Sequence, residues 1–263
     1  MKRALFALIS LCLTLYCIAQ IKEAEQYYGK AKYHLINGDF NNAFKNFKAA
    51  ADMGYEPAMF EVAICYKNGE GTDVNLNLSF NYTYKAATSS HPYPSAITEL
   101  GWCYYTGLGT DINYSEAIKW WKFGAEKYAD SDHLNHGIGC MRYLGMAYYE
   151  GHGIEQDFAQ SFYWYRKAAL RGDPMAAQRV GLMYLYGTGV DENEVEAVKW
   201  IRCAAENDAI GECRVSYFFL GMCYLEGKGN LPKDKDKAIL WLKKAANKGY
   251  VEANIVLMKL GEK

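Results

Sequence analysis

LGMAYYEGHGIEQDFAQSFYWYRKAALRG, residues Leu144 to Gly172, reads as one helix, a glycine-punctuated loop and a second helix ending in glycine. The stretch recurs along the chain. LGWCYYTGLG begins at Leu100, VGLMYLYGTG at Val180 and LGMCYLEGKG at Leu220, with VAICYKNGEG at Val62 a looser copy. Each is followed by an aromatic-bearing segment: FNYTYKAA, AIKWWKFGA, SFYWYRKAA, AVKWIRCAA and AILWLKKAA. The equivalent positions Ala63, Gly101, Gly145, Gly181 and Gly221 lie 38, 44, 36 and 40 residues apart. A helix-loop-helix unit repeated at such a period specifies a solenoid, because one unit cannot bury its apolar face without its neighbours.

The apolar residues within a unit carry a helical period. Ala238, Trp241, Leu242, Ala245 and Ala246 stand at i, i+3, i+4, i+7 and i+8, one stripe on a 3.6-residue helix. Ser161, Trp164, Tyr165, Ala168 and Ala169 repeat it, as do Ala197, Trp200, Ile201, Ala204 and Ala205. Alanines let neighbouring helices approach while one large ring fills the gap. The helical glycines Gly145, Gly181 and Gly221 imply a further close contact, since each costs about 1 kcal/mol of helix propensity that packing must offset. The paired loop glycines (Gly69 and Gly71, Gly107 and Gly109, Gly151 and Gly153, Gly187 and Gly189, Gly227 and Gly229) suit left-handed helix caps. They do not suit a phosphate loop, since no Gly-Lys-Ser/Thr follows and no strand precedes them.

Half of the 263 residues are apolar and only five are proline, which argues against disorder. A formal charge of −1 gives no basic surface for nucleic acid. Lys2 and Arg3 precede an apolar run from Ala4 to Ile18, and small residues stand before the bond after Ala19. That is the pattern of a secretory signal peptide, too short for a comfortable membrane span. The expectation is cleavage after Ala19 and a secreted or periplasmic mature chain, not membrane-spanning. Of the 29 basic residues, 27 would then remain against 30 acidic, a charge of −3.

Six cysteines would also remain. Cys65, Cys103 and Cys223 share a slot filled elsewhere by Ala147 and Met183, and Cys140 occupies one filled by alanine or serine, so these four read as packed side chains. Cys203 and Cys213 flank one inter-repeat turn and could bridge it if their Cβ atoms meet. The implied organisation is a signal peptide over 1–19, a capping helical hairpin over 22–57 that lacks the Gly-x-Gly loop and resembles a tetratricopeptide-type unit, five repeats over 58–251, and a capping helix over 252–263.

These motifs resemble the Sel-one-like repeat family, related to tetratricopeptide repeats. The family pattern, LG-x-x-Y-x-x-G-x-G followed by D-x-x-x-A-x-x-W and KAA-x-x-G, is matched closely over Leu144 to Gly172, with Ser161 in the alanine position. It is matched well over Val180 to Ala205 and Leu220 to Gly249. The Leu100 copy has Phe123-Gly124-Ala125 in place of KAA, and the Val62 copy has Tyr82 in place of the tryptophan. The resemblance implies an all-α, right-handed superhelix of antiparallel helix pairs that binds proteins or peptides, often as an adaptor at membranes or in the envelope. It implies no chemistry and no cofactor.

A solenoid presents one face of its first helices along a concave groove. The residues one and four past the repeat glycine position should line it: Ile64 and Lys67, Trp102 and Tyr105, Met146 and Tyr149, Leu182 and Leu185, Met222 and Leu225. Three residues before that position come Phe60, Thr98, Arg142, Gln178 and Phe218. The candidate partner-binding set is Trp102, Tyr105, Arg142, Met146, Tyr149 and Phe218, an apolar and aromatic surface with one prominent cation, suited to an extended peptide or helix. Glycan stacking in the envelope is the alternative use of the same aromatics, and packing against the next repeat is the alternative fate of each side chain. The insertion GAEKYADSDHLNHGIGC holds Asp130, Asp132, His133 and His136, but without a second His pair or a placed Glu it reads as an exposed loop, not a metal site. No nucleophile or acid–base constellation stands out, so a cell-wall or lactam hydrolase has no residue support and the expectation is a non-enzyme.

Overall fold

The structure, a computed structural model, describes residues 2–128, 137–209 and 211–262, with residues 2–17 described by backbone alone. Among the described residues there are thirteen helices and no strand. The chain divides into two compact units at Trp120 and Trp121.

The first unit contains α1 (Lys2–Ile36), α2 (Phe40–Asp52), α3 (Glu56–Asn68), α4 (Leu76–Thr88) and α5 (Pro94–Thr106), and the start of α6 (Tyr114–Lys127). The second contains the rest of α6, then α7 (Ile138–Glu150), α8 (Phe158–Leu170), α9 (Pro174–Tyr186), α10 (Glu194–Asn207), α11 (Arg214–Glu226), α12 (Lys235–Asn247) and α13 (Val251–Lys259). Helices pair in sequence order, α1 with α2, α3 with α4, α7 with α8, α9 with α10 and α11 with α12, and within each unit successive pairs stack on one another. The odd-numbered member of each pair is called the A helix below, and the even-numbered member the B helix.

Local chemistry fixes where each B helix starts. Asp39, Asn75, Asn113, Asp157, Asn193 and Asp234 each accept a hydrogen bond from the amide three residues on, at 2.9–3.2 Å, satisfying one of the four orphan donors of a helix start. From Asn75 onward the cap residue's own N–H donates to the carbonyl of the repeat tyrosine on the A helix (Tyr66, Tyr104, Tyr148, Tyr184, Tyr224) at 2.7–3.0 Å. The tyrosine of the repeat pattern therefore ties the loop back to the helix it left. Its ring faces the preceding repeat: Tyr66 meets Phe44, Tyr104 meets Phe80 and Tyr184 meets Phe162 edge-on, with centroids 5.1–5.4 Å apart.

The glycines divide into two jobs. A Cβ on Gly145, Gly181 or Gly221 would stand 2.7–2.8 Å from the Tyr165 ring, Ile201 or Leu242 of the partner B helix, so the A and B helices of one repeat touch through hydrogen alone. The Ser161 hydroxyl adds a 2.7 Å bond to the Gly145 carbonyl at that crossing. In the loops, the first glycine of each pair is the left-handed cap of its A helix. The second is an inter-repeat contact: Gly71, Gly109 and Gly189 press on the first turn of the preceding B helix, where a Cβ would fall on the carbonyl of Phe40, Leu76 or Phe158.

The alanine stripes are the core. Ala168 and Ala169, Ala204 and Ala205, and Ala238 and Ala245 are at most 5 % exposed. The tryptophan of the pattern is nearly buried at Trp200 and half-buried at Trp120, Trp164 and Trp241, the last stacking on Tyr217 at 5.8 Å, while Trp121, one residue on, is fully buried in the slot of Tyr165, Ile201 and Leu242. Cys65, Cys103, Cys140 and Cys223 are buried free thiols. Burial pushes Cys65 and Cys103 up to about 12 and Cys223 up to about 11, so they remain protonated packing groups.

Candidate functional site

The A helices carry every expected groove residue, and the structure sorts those residues by register. All positions three before the repeat glycine turn toward their own or the next repeat. Phe60 packs on Tyr93 (5.4 Å) and Phe218 on Tyr250 (4.8 Å). Gln178, buried, accepts from both the amide and the hydroxyl of Ser216 at 3.1 Å, and Thr98 bonds the Pro94 carbonyl. Arg142 follows the same rule. Its Nε donates to Asp173 at 3.0 Å and its guanidinium lies 4.6 Å over the Tyr143 ring. Burial alone would lower its pKa, but Asp173 and Tyr143 more than compensate and hold it charged. The expected cation of the groove is therefore a strut between repeats. Asp173 also caps α9 through the Ala176 amide (2.8 Å), so one carboxylate fixes both the helix start and the repeat interface.

Trp102 and Tyr105, on α5, are half-buried and stack on each other at 5.9 Å with planes 16° apart, and Tyr105 meets Tyr114 edge-on at 5.0 Å. Met146 is half-buried on α7. Tyr149, at the end of α7, is exposed and leans edge-on against Phe158 at 5.2 Å.

The residue two before the repeat glycine decides what each A–A seam looks like, and sequence reading missed it. In the first unit it is a carboxylate. Glu99 on α5 takes Lys67 of α3 at 2.6 Å, and Glu61 on α3 takes Lys32 at 2.9 Å and the Tyr28 hydroxyl at 3.3 Å. In the second unit the position holds Tyr143 on α7, which stacks on Trp121 at 5.0 Å, Arg179 on α9 and Phe219 on α11. Beside α9 the seams hold cavities. A cavity of about 100 Å³ is lined by Tyr149, Tyr165, Arg179, Leu182, Met183, Tyr186 and Thr188. A second, of about 210 Å³, is lined by Leu185, Val198, Ile201, Phe218, Phe219, Met222 and Cys223, with Glu194, Glu226 and Lys228 beside them. The signal lay in the same helical period, but only the stagger of one A helix on the next shows that position +4 faces position −2.

Cys203 and Cys213 are free thiols, not the bridge considered from their spacing. A side chain closes their turn instead. Asp208 accepts from the amides of Gly211, Glu212 and Cys213 (2.8, 3.1 and 2.5 Å) and from the Tyr217 hydroxyl (2.9 Å). Burial would raise this carboxyl, but those donors outweigh it and hold it below the usual carboxylate range, as several hydrogen bonds to the charged form should. Asp130, Asp132, His133 and His136 lie outside the described residues. Among the described residues no helix is long and apolar enough to cross a membrane.

A family model described as Sel1 repeat matches residues 23–55, 56–91, 94–128, 138–173, 174–208 and 215–250, the opening hairpin included. The structure resembles a Sel1 repeat protein from Oxalobacter formigenes (27% identity, TM-score 0.74, 86% of each chain covered). It also resembles a protective antigen of uropathogenic Escherichia coli strains displaying an SLR fold (27% identity, TM-score 0.74), covering 95% of this chain and 52% of that one. Over 94 residues, 35% of the chain, it is 35% identical to an F-box protein of Arabidopsis thaliana, of whose length it spans 23%.

Proposed function

The chain belongs to the Sel1 repeat family, and on that premise we propose that it is a non-catalytic adaptor, secreted or periplasmic, that holds a protein or peptide partner on its A-helix face. One observation carries the reading: the A–A seams on either side of α9 hold cavities, with an exposed tyrosine, an exposed arginine and an apolar lining, whereas the α3–α5 seam is closed at the same two positions by the Lys67–Glu99 ion pair. A repeat scaffold gains nothing in stability from such openings, whereas a docking side chain has somewhere to go. Export is supported by the sequence of the first 19 residues, whose Lys2-Arg3 start, apolar run and small residues fit a cleaved signal.

The test is affinity capture from the native envelope, run beside glycan binding. The adaptor reading expects one or a few proteins retained by the wild type and released by Tyr149→Ala combined with Met222→Glu at unchanged thermal stability. Retention of envelope polysaccharide in place of protein would establish the glycan alternative. N-terminal sequencing of the exported protein should begin at Gln20; a start at Met1 would remove the export proposal.

A further inference from the structure

The two cavities beside α9 differ in chemistry, and together they specify a ligand. Arg179 is exposed and, among the described residues, makes no ion pair or hydrogen bond. It sits with Tyr149, Tyr165 and Tyr186 around the smaller cavity. Tyr165 is 4 % exposed and pushed up to about 12, first by burial, so its hydroxyl stays a proton donor at neutral pH. Glu150, at the end of α7, lies 3.3 Å from the His152 ring. A guanidinium beside tyrosine rings and a protonated hydroxyl is a carboxylate receptor, because Arg offers a planar fork of donors to two oxygens.

The larger cavity is the converse. Its floor is apolar, and the charges at its margin are already engaged: Glu226 with Lys228 at 2.7 Å, Glu194 with the Gly229 amide at 3.0 Å. It suits a branched aliphatic or aromatic side chain. Leu182 lines the first cavity and Leu185 the second, so both sites draw on α9, and since packed helix axes stand roughly 8–10 Å apart, seams on its two sides are separated by about that spacing. A polyproline-type chain rises about 3.1 Å per residue with three residues per turn, which puts residues i and i+3 on one side about 9 Å apart.

We propose that the α9 seam recognises an extended peptide segment with an acidic residue and a bulky apolar residue three positions apart, the carboxylate on Arg179 and the apolar side chain between α9, α10 and α11. This rests on the A-helix face being the docking surface.

The experiment is selection of a displayed random-peptide library on the immobilised protein, repeated on Arg179→Glu, Arg179→Lys and Met222→Glu, each checked for an unchanged melting temperature. The expected result is enrichment of Asp or Glu spaced three from Leu, Ile, Phe or Trp. Synthetic peptides of that form should bind about tenfold or more weakly to Arg179→Glu, with partial recovery in Arg179→Lys and a separate loss in Met222→Glu. Peptides selected without an acidic residue, and bound equally by Arg179→Glu but not by Met222→Glu, would overturn this specificity and leave the A-helix face in place as the docking surface. No selectable peptide at all would overturn both.

Discussion

Between α3 and α5, the residue four past one repeat glycine position and the residue two before the next are Lys67 and Glu99, joined at 2.6 Å. Between α7 and α9 the same two positions are Tyr149 and Arg179, and the seam is a cavity. The backbone units around both seams are alike: aspartate or asparagine caps on the B helices, left-handed glycines after the A helices, alanine stripes within. The first unit uses the variable position to fasten its repeats, and the second leaves Arg179 at that position to solvent. A scaffold built from nearest-neighbour terms tolerates that, because each seam is closed or opened without changing the others.

The comparison breaks hardest if the shared backbone contacts are unequal. Gly109→Ala in the first unit and Gly189→Ala in the second each force a side chain into a left-handed residue (φ +74° and +70°) and onto a carbonyl of the preceding B helix. Each should lose about 3 kcal/mol or more, measured by denaturant unfolding. A loss confined to one of them would show that the loop does different work in the two units.

The turn from α10 to α11 gives the next largest effect. The turn from α4 to α5 uses the Tyr93 amide on the Ala86 carbonyl (2.9 Å), whereas Asp208 gathers four donors onto one carboxylate. Asp208→Ala strands those groups and should cost about 2–3 kcal/mol. The folded-state carboxyl is held below its ordinary value, so its stabilisation is complete above about pH 4 and is lost as pH falls through the folded value. Asp208→Asn should lower the melting temperature at pH 7 and reduce its dependence on pH below 4. An acid limb as steep as that of the wild type would place the titration elsewhere.

Exchanging the seams should move little energy. Lys67→Met with Glu99→Leu should show a coupling of about 0.2–1 kcal/mol in a double-mutant cycle, the ordinary worth of a partly exposed pair. Tyr149→Glu should install a comparable pair with Arg179 and add a similar increment to stability, while the acidic peptides described above bind less well. Smallest of all, native-state labelling by a maleimide should find Cys203 first, since it is only half-buried while the other five thiols after residue 19 are buried. Six thiols should titrate after denaturation without reductant of a chain starting at Gln20; four would restore a bridge.

The repeat, the helix pairing, the buried alanines and the four packed cysteines were all readable from the chain, because each rests on a local rule: period 3.6, cap chemistry, a glycine where the backbone turns left-handed. Gly145 and Gly181 announced a close contact by their cost alone. Sequence register pointed to Arg142 as the groove cation, and Arg179 drew no notice. Only the stacking of one repeat on the next separates them, since Asp173, 31 residues away, meets Arg142, while among the described residues no acid pairs with Arg179. Sequence determined the unit and its repetition through interactions of short range. Tertiary structure decided which side chains the neighbouring repeat would claim and which it would leave, because that depends on the stagger between helices more than thirty residues apart.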